Sequence, residues 1–396
     1  MTGGSRVTID TRFRLLYLGS FVSYADRFAI APLLVSISRD LGTSLAATAS
    51  VASAYFLSYG VMQFVYGVLS DRVGRVRVMR WSLFGMGVGN LAAGVAPGLE
   101  TLVVAKAVAG GFAGAVLPMS LVYVGDRVAF AGRQHMIANV LAAGAVGTVV
   151  ASIGAGLLGR FATWRLVFLI IAVLSLALAA VMGRLPESLG AHRGAGPLTQ
   201  LRRVARHPWA LFLIGVAMVE GAVILGFLTF LAPALEAGGQ SAAVAGAVVS
   251  AYGVAIFVAM QFLKPLLRRT SVTSPGLIII GGALLFLAYL IAAGSQGVAS
   301  ILLASVLIGT AYTFLHSTLQ TWATEVAPEA RATATSLFVT GVSIGAAIGT
   351  AAVKGLAADQ RYGVLFLIAA AVTVPVVIVA AVGRGRFSSQ MSKPHA

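Results

Sequence analysis

Four charges stand inside stretches of the chain that otherwise carry none: Asp26 and Arg27, Lys106, and Glu220. If those stretches cross a lipid bilayer, each charge at a helix centre costs roughly 2.5–3.5 kcal/mol, so each needs a purpose. A carboxylate partly removed from water holds its proton more tightly and can titrate near neutrality. Asp26 and Glu220 are therefore candidates for proton coupling. Arg27 keeps its charge, and its planar fork suits a carboxylate or phosphate on a substrate. Asp26 and Arg27 are adjacent, so on a helix they project roughly 100° apart and cannot neutralise each other. Each requires another partner, in a transport site or in a structural ion-pair network. Glu220 fits either coupling or an ion pair with Arg27 or Lys106. Lys106 either reaches the same interior or snorkels to the interface.

Two polar stripes recur at i, i+4 and i+8: Tyr55, Tyr59 and Gln63, then Tyr312, His316 and Gln320. Such a stripe lies along one helix face and suits either the wall of a substrate cavity or interhelical hydrogen bonds. None of the 5 histidines has metal-ligand spacing, and with Cys at 0 there is no thiolate nucleophile or cysteine-ligated metal. No nucleotide-binding loop or catalytic cluster is present, so neither a cofactor nor an enzymatic activity is expected.

The elements that position these residues follow from composition. The 396 residues are 59% hydrophobic and 10% charged, with mean hydropathy +0.94, whereas a soluble domain carries about 25% charged residues. Reading between charges yields stretches of the ~18 residues needed to span a bilayer. The run from Thr270 to Thr324 carries no charge and is too long for one crossing; Gly294-Ser295-Gln296-Gly297 divides it into two spans. The total is twelve spans. Of the 28 Lys and Arg, 21 fall on the side of the two termini and 5 on the other, with Arg27 and Lys106 in the membrane. The positive-inside rule makes the basic side cytoplasmic. The net charge of +16 is thus topology signal plus attraction to anionic headgroups. Nucleic-acid binding is not expected, because the basic residues are split among short loops.

The two halves repeat. Trp164–Ile170 aligns with Tyr362–Ile368 at an offset of 198, and the same offset pairs Arg133 with Arg331, Gly147 with Gly345, and Gly111 with Gly309. Tyr55 matches Tyr252 with one residue deleted. An offset of six spans keeps the second half in the orientation of the first, a parallel repeat known among secondary transporters. The expected organisation is a six-helix bundle over 1–183, a cytoplasmic linker over 184–207, and a second bundle with a short tail over 208–396. Gly341, Gly345 and Gly349 form a small-residue face, as do Gly147, Ala151 and Ala155; these suit static packing or surfaces that slide between halves.

After the second span comes Gly67-Val68-Leu69-Ser70-Asp71-Arg72-Val73-Gly74-Arg75-Val76-Arg77. A carboxylate at a helix N-terminus gains roughly 0.3–1 kcal/mol, so Asp71 could hold the start of span eleven. Arg72 and Arg75 could pair with Glu325 or Glu329, while Gly67 and Gly74 allow close approach and a turn. This loop resembles the signature between spans two and three of the major facilitator superfamily. Glu325-Val326-Ala327-Pro328-Glu329-Ala330-Arg331 and Trp164-Arg165 match it further. The resemblance implies two parallel-repeat six-helix bundles, alternating access, and a gating role for Gly67, Asp71, Arg72, Gly74, Arg75, Glu325 and Arg331.

Within that superfamily, Ser23–Arg27 resembles the first-helix signature of organic-anion and Spinster-type symporters, with Lys106 as the basic residue of helix four. Ala113 stands where those families carry an acid. Gly147–Gly156 resembles the fifth-helix pattern of proton-coupled drug exporters, without its proline. The expectation is an all-α integral membrane protein, multi-pass in a bacterial inner membrane with both termini cytoplasmic, acting as a monomer. Its activity is expected to be proton-coupled transport of small organic molecules, leaning to anions or zwitterions. The alternatives are a proton-antiporting multidrug exporter and, after it, a passive facilitator.

Overall fold

The computed structural model describes residues 13–128, 130–188, 197–269 and 272–391. Among them the chain is helical throughout, with no strand. The long helices of the first half are α1 (Arg14–Phe28, continuing as Leu34–Asp40), α2 (Ser50–Val73), α3 (Arg75–Gly94), α4 (Leu99–Ala113, continuing as Val116–Arg127), α5 (Phe130–Phe161) and α6 (Trp164–Met182). Those of the second half are α7 (Pro208–Gly221, continuing as Leu231–Ala237), α8 (Ala242–Arg269), α9 (Ser274–Gly294), α10 (Val298–Ala311, continuing as Ser317–Ala323), α11 (Arg331–Ala358) and α12 (Tyr362–Met391). Eleven of these are long and apolar enough to cross a membrane. The twelfth, α3, is 20 residues long and packs along α4 and α6. Arg75, Arg77 and Arg80 in its first two turns lower its mean hydropathy. The uncharged run after Thr270 divides at Gly294 as its glycines require.

The packing follows the repeat. In the first half α1 lies on α5, α2 on α4 and α3 on α6; in the second α7 lies on α11, α8 on α10 and α9 on α12. The halves meet where α5 touches α8 and α2 touches α11, and these two contacts exchange under the same repeat. Gly147 and Gly345 show why the repeat retains particular glycines. A Cβ on Gly147 would overlap the backbone carbonyl of Phe21 in α1, and one on Gly345 that of Met218 in α7. Gly349 packs on Ala222, also beyond the start of α7. The small-residue face of α11 is therefore a seam inside the second half and not a sliding surface between halves. The surface between halves uses other glycines: Gly156 of α5 and Gly246 of α8 approach so closely that a Cβ on either would meet the partner's backbone.

Helices α1, α4, α7 and α10 are each interrupted. Proline removes a backbone donor and clashes with the carbonyl four residues earlier. Pro32, Pro118 and Pro233 stand four residues after Phe28, Gly114 and Thr229, and α1, α4 and α7 break at or just after those positions. Helix α10 has no proline; its irregularity is a π turn over Tyr312–His316. His316 occupies the position that Pro118 holds in the repeat, so the irregularity is kept while the side chain becomes titratable. A second π turn, Ala222–Gly226, precedes the break in α7. Backbone groups loosened in this way need partners inside a membrane. Tyr289 donates to the Val223 carbonyl and Thr350 to that of Gly226.

Candidate functional site

The interrupted helices carry the four intramembrane charges and His316, and the structure joins Asp26 to Lys106 and Glu220 to His316. In the first half Lys106 Nζ lies 2.5 Å from Asp26 Oδ1, with both side chains wholly buried. Lys106 also donates to Asn90 Oδ1 at 2.9 Å, and Asn90 in turn donates to the Met86 carbonyl at 3.0 Å. The ammonium sits 4.6 Å from the ring centre of Phe168 and 5.1 Å from that of Tyr55. Lys106 therefore does not snorkel. Its stem runs from the outer part of α4 inward to Asp26, because two oxygens and two ring faces satisfy the charge better there than a distant interface would. Asn90 was not singled out by sequence reasoning. Its signal was a lone amide in an otherwise apolar helix, flanked by Gly87, Gly89 and Gly94.

In the second half Glu220 Oε1 lies 3.0 Å from His316 Nδ1. Glu220 thus pairs with neither Arg27 nor Lys106, the partners its position suggested. Lys106 is committed to Asp26, and the π turn of α10 brings His316 to Glu220 instead. The His316 ring stacks on Tyr312, with centres 4.4 Å apart and planes 14° apart. A π turn has about one residue more per turn than an α-helix, so side chains beyond it rotate relative to those before it. Gln320 is half-buried after that turn, and the stripe of Tyr312, His316 and Gln320 is not a straight row.

Arg27 projects away from both pairs. Its guanidinium lies 4.9 Å from the ring centre of Tyr59, 5.4 Å from Phe56 and 5.8 Å from Phe28. No carboxylate among the described residues lies within ion-pair distance, and its Nε is buried without a hydrogen bond. The guanidinium borders a space between the halves lined by Phe28, Phe56, Leu225, Leu228 and Tyr252. Tyr252 and Tyr312 lie within electrostatic reach of both Arg27 and Glu220. On α2, Tyr55 and Tyr59 stack at 6.1 Å and Gln63 is buried one turn further on. The α2 stripe thus faces the interior at both Lys106 and Arg27.

Two acceptor oxygens, Asp26 Oδ2 and Glu220 Oε2, are buried without a hydrogen-bond partner. An unsatisfied carboxylate oxygen in a low-dielectric interior carries a penalty that a proton or a polar ligand group relieves. The interior therefore offers two unsatisfied carboxylate oxygens and one guanidinium, among aromatic faces suited to an apolar body.

The loop motif is partly described. Gly67 lies within α2, and the Asp71 side chain lies outside the described residues. Gly74 has φ +104°, a conformation that favours glycine, and turns the chain from α2 into α3. Arg72 is exposed. Arg75 donates to Ser70 Oγ at 2.6 Å and lies 3.6 Å from Asp126 at the end of α4. Glu187 accepts from the backbone N–H groups of Val76 at 2.8 Å and Arg77 at 3.1 Å. Glu187, a residue the sequence reading passed over, thus caps the start of α3 at this loop. Glu325 is paired with Arg384 of α12 at 2.6 Å and Glu329 with His207, so these acids are engaged within the second half. Arg331 is exposed at the start of α11.

Comparison with known proteins gives concordant matches. A family model described as the Major Facilitator Superfamily matches residues 16–350 and 242–386. The puromycin resistance protein pur8 of Streptomyces alboniger is 33% identical over 135 residues, covering 33% of this chain and 26% of that protein. Multidrug resistance protein D of Escherichia coli (strain K12) is 33% identical over 161 residues, 40% of each protein. The chain therefore spans less than two thirds of the length of these relatives. Among solved structures, the nucleoside transporter NupG superposes with TM-score 0.75 at 17% identity, covering 97% of this chain and 100% of that one. A bacterial homologue of the human lysosomal transporter Spinster, inward-facing and unoccupied, does so with TM-score 0.71 at 18% identity over 95% and 98%. At such identities the two structures speak for the fold.

Proposed function

The chain belongs to the Major Facilitator Superfamily, and from that premise we propose that it exports amphipathic small organic molecules in exchange for protons. The observation that carries this reading is the buried Glu220–His316 pair, with one carboxylate oxygen left unsatisfied and Tyr252, a cavity-lining residue, within electrostatic reach of Glu220. Histidine changes charge near physiological pH more readily than any other side chain. A proton taken up by the pair removes its net negative charge. Loss of that proton restores a site for a cationic or hydrogen-bonding group on a substrate. Proton and substrate then compete for one place, which is what exchange requires. The aromatic lining at Phe28, Phe56 and Tyr252 suits a large apolar body. The names of the relatives, resistance to puromycin and to multiple drugs, favour export over uptake.

A second reading is carried by Arg27, a guanidinium at the cavity wall with no acid beside it among the described residues. An organic anion would neutralise it, and anion–proton symport would follow, with Asp26 or Glu220 carrying the proton. The remaining residues of the α2 and α10 faces, Tyr55, Tyr59, Gln63, Tyr312 and Gln320, line the path in either case.

Proteoliposomes holding a pH-sensitive dye separate the two. Lipophilic cations, including puromycin, and organic anions are presented in turn to wild type, Glu220→Gln and Asp26→Asn. Proton release triggered by cations and lost in Glu220→Gln supports exchange. Inward proton movement triggered by anions supports symport and Arg27 as its anchor. Substrate flux without proton movement in any variant would overturn coupling and leave a facilitator.

A further inference from the structure

The segment joining the two halves ends in a helix, Pro197–Ala205, that none of the transport residues touches. Val204 is fully buried and Leu201 half-buried, and together they fasten the helix against the start of α7, the turn at Pro328–Ala330 and the start of α11. His207, just beyond, is bonded to Glu329 of that turn. The opposite surface carries Arg202, Arg203 and Arg206, all exposed. No carboxylate among the described residues lies within ion-pair distance of them, although Arg203 is within electrostatic reach of Glu329.

The level of this helix in the membrane is fixed by its neighbour Trp209. The indole packs among Phe212, Trp322 and Phe387 at 5.6–6.1 Å while its Nε1 donates to Gln390 at 2.9 Å. An aromatic ring with an apolar body and a wet tip is the geometry of the bilayer interface. The three arginines precede it by only a few residues, and Arg386 is exposed one turn from Gln390.

We propose that the helix Pro197–Ala205 docks anionic phospholipid headgroups, with Arg202, Arg203 and Arg206 as the phosphate-binding groups. Guanidinium forks match phosphate oxygens in pairs. The buried Val204 and the His207–Glu329 contact hold the helix in place, so its charges are presented without further ordering. Each basic residue near an anionic surface strengthens association roughly fivefold, so the three together are worth about a hundredfold. The helix touches the turn that leads into α11, and headgroup binding would thereby bear on a helix of the interface between halves.

The chain contains 0 cysteines, so Ala205→Cys, an exposed position, gives a single labelling site for an environment-sensitive dye. The full-length protein is placed in nanodiscs of phosphatidylcholine with increasing phosphatidylglycerol. The emission should shift as phosphatidylglycerol rises. The R202Q/R203Q/R206Q variant should need at least about tenfold more anionic lipid for the same shift, or lose it, while the corresponding lysine variant keeps most of it. An unchanged signal between the two lipids overturns the proposal, as does a glutamine variant that responds like wild type. A shift produced by inorganic phosphate in pure phosphatidylcholine would instead mark a soluble-anion site. The readout involves no transport, so its failure is separable from failure of the exchange reading. Because the three arginines are exposed, the glutamine variant should unfold at the wild-type temperature, which excludes misfolding as the cause of a lost response.

Discussion

The two halves of the chain each bury one acid against one base on their first and fourth helices, yet the pairs differ in what they can do. Asp26 faces a lysine that is further bonded to Asn90 and flanked by two rings. Glu220 faces a histidine stacked on a tyrosine. The first base is bonded to two oxygens, those of Asp26 and Asn90, and the second to the one carboxylate. A histidine can gain or lose a proton in the physiological range. The repeat thus supplies two copies of one scaffold, and on the exchange reading proposed above the choice of base makes one a strut and the other a switch. The exchange at the repeat position of Pro118 and His316 is where that difference enters the sequence.

The largest effect should follow from breaking the strut. Lys106→Met leaves Asp26 charged and unpaired in the interior, a loss of about 3–5 kcal/mol. Thermal unfolding in detergent should show a steep fall in Tm, and the double variant Asp26→Asn with Lys106→Met should recover most of it. A single variant as stable as wild type would mean the first pair is not a strut, and the comparison would collapse.

Asn90→Leu comes next. It removes one charged hydrogen bond from Lys106 but leaves the ion pair, so the expected loss is about 1.5–3 kcal/mol, again read as Tm. Equal losses for Asn90→Leu and Lys106→Met would indicate that the amide, and not Asp26, is the essential partner.

How much of this arrangement the sequence disclosed depends on the kind of interaction. Asp26, Arg27 and Glu220 stood out because a charge in an apolar span is expensive wherever it points. The break at Gly294–Gly297 was legible because helix length against bilayer thickness allows nothing else. The repeat pairs Gly147 and Gly345 were visible as pattern, but their job of admitting α1 and α7 backbones depends on which helix lies opposite. Lys106 could not be assigned because its long stem reaches either the interface or Asp26, and only packing decides. Asn90 carries no charge and so raised no alarm. The π turn at Tyr312–His316 was hidden, since i+5 bonding arises from tertiary contacts, and with it was hidden the partner of Glu220.

Breaking the switch should disturb stability less and function more. Glu220→Gln keeps a hydrogen-bonding group beside His316, so the cost should be about 0.5–1.5 kcal/mol. On the exchange reading, proton-linked flux in proteoliposomes should fall at least about tenfold, since no other acid–histidine pair among the described residues is buried. A Glu220→Gln protein that loses several kcal/mol would show that the second pair is also a strut, and the contrast between halves would vanish.

The smallest effect concerns the third acid–base pair, Glu329 with His207, which has the chemistry of Glu220–His316 but lies at the surface. Its side chains are 43% and 40% exposed, so solvent screens the interaction. The Glu329 carboxyl is held below its ordinary value of 4.5, chiefly by its own backbone N–H; desolvation opposes this, and the hydrogen bond and charge of His207, then Arg203, lower it further. A depressed folded pKa means stabilisation that is present above the unfolded value and lost as pH falls through the folded one. Wild type and Glu329→Gln should therefore differ slightly in Tm at pH 7 and converge as pH is lowered below about 4.5. The same comparison for Glu220→Gln should show a difference that follows the buried pair instead. If the two glutamine variants trace the same curve, burial adds nothing to the acid–histidine pair, and the assignment of a switch to the second half loses its physical basis.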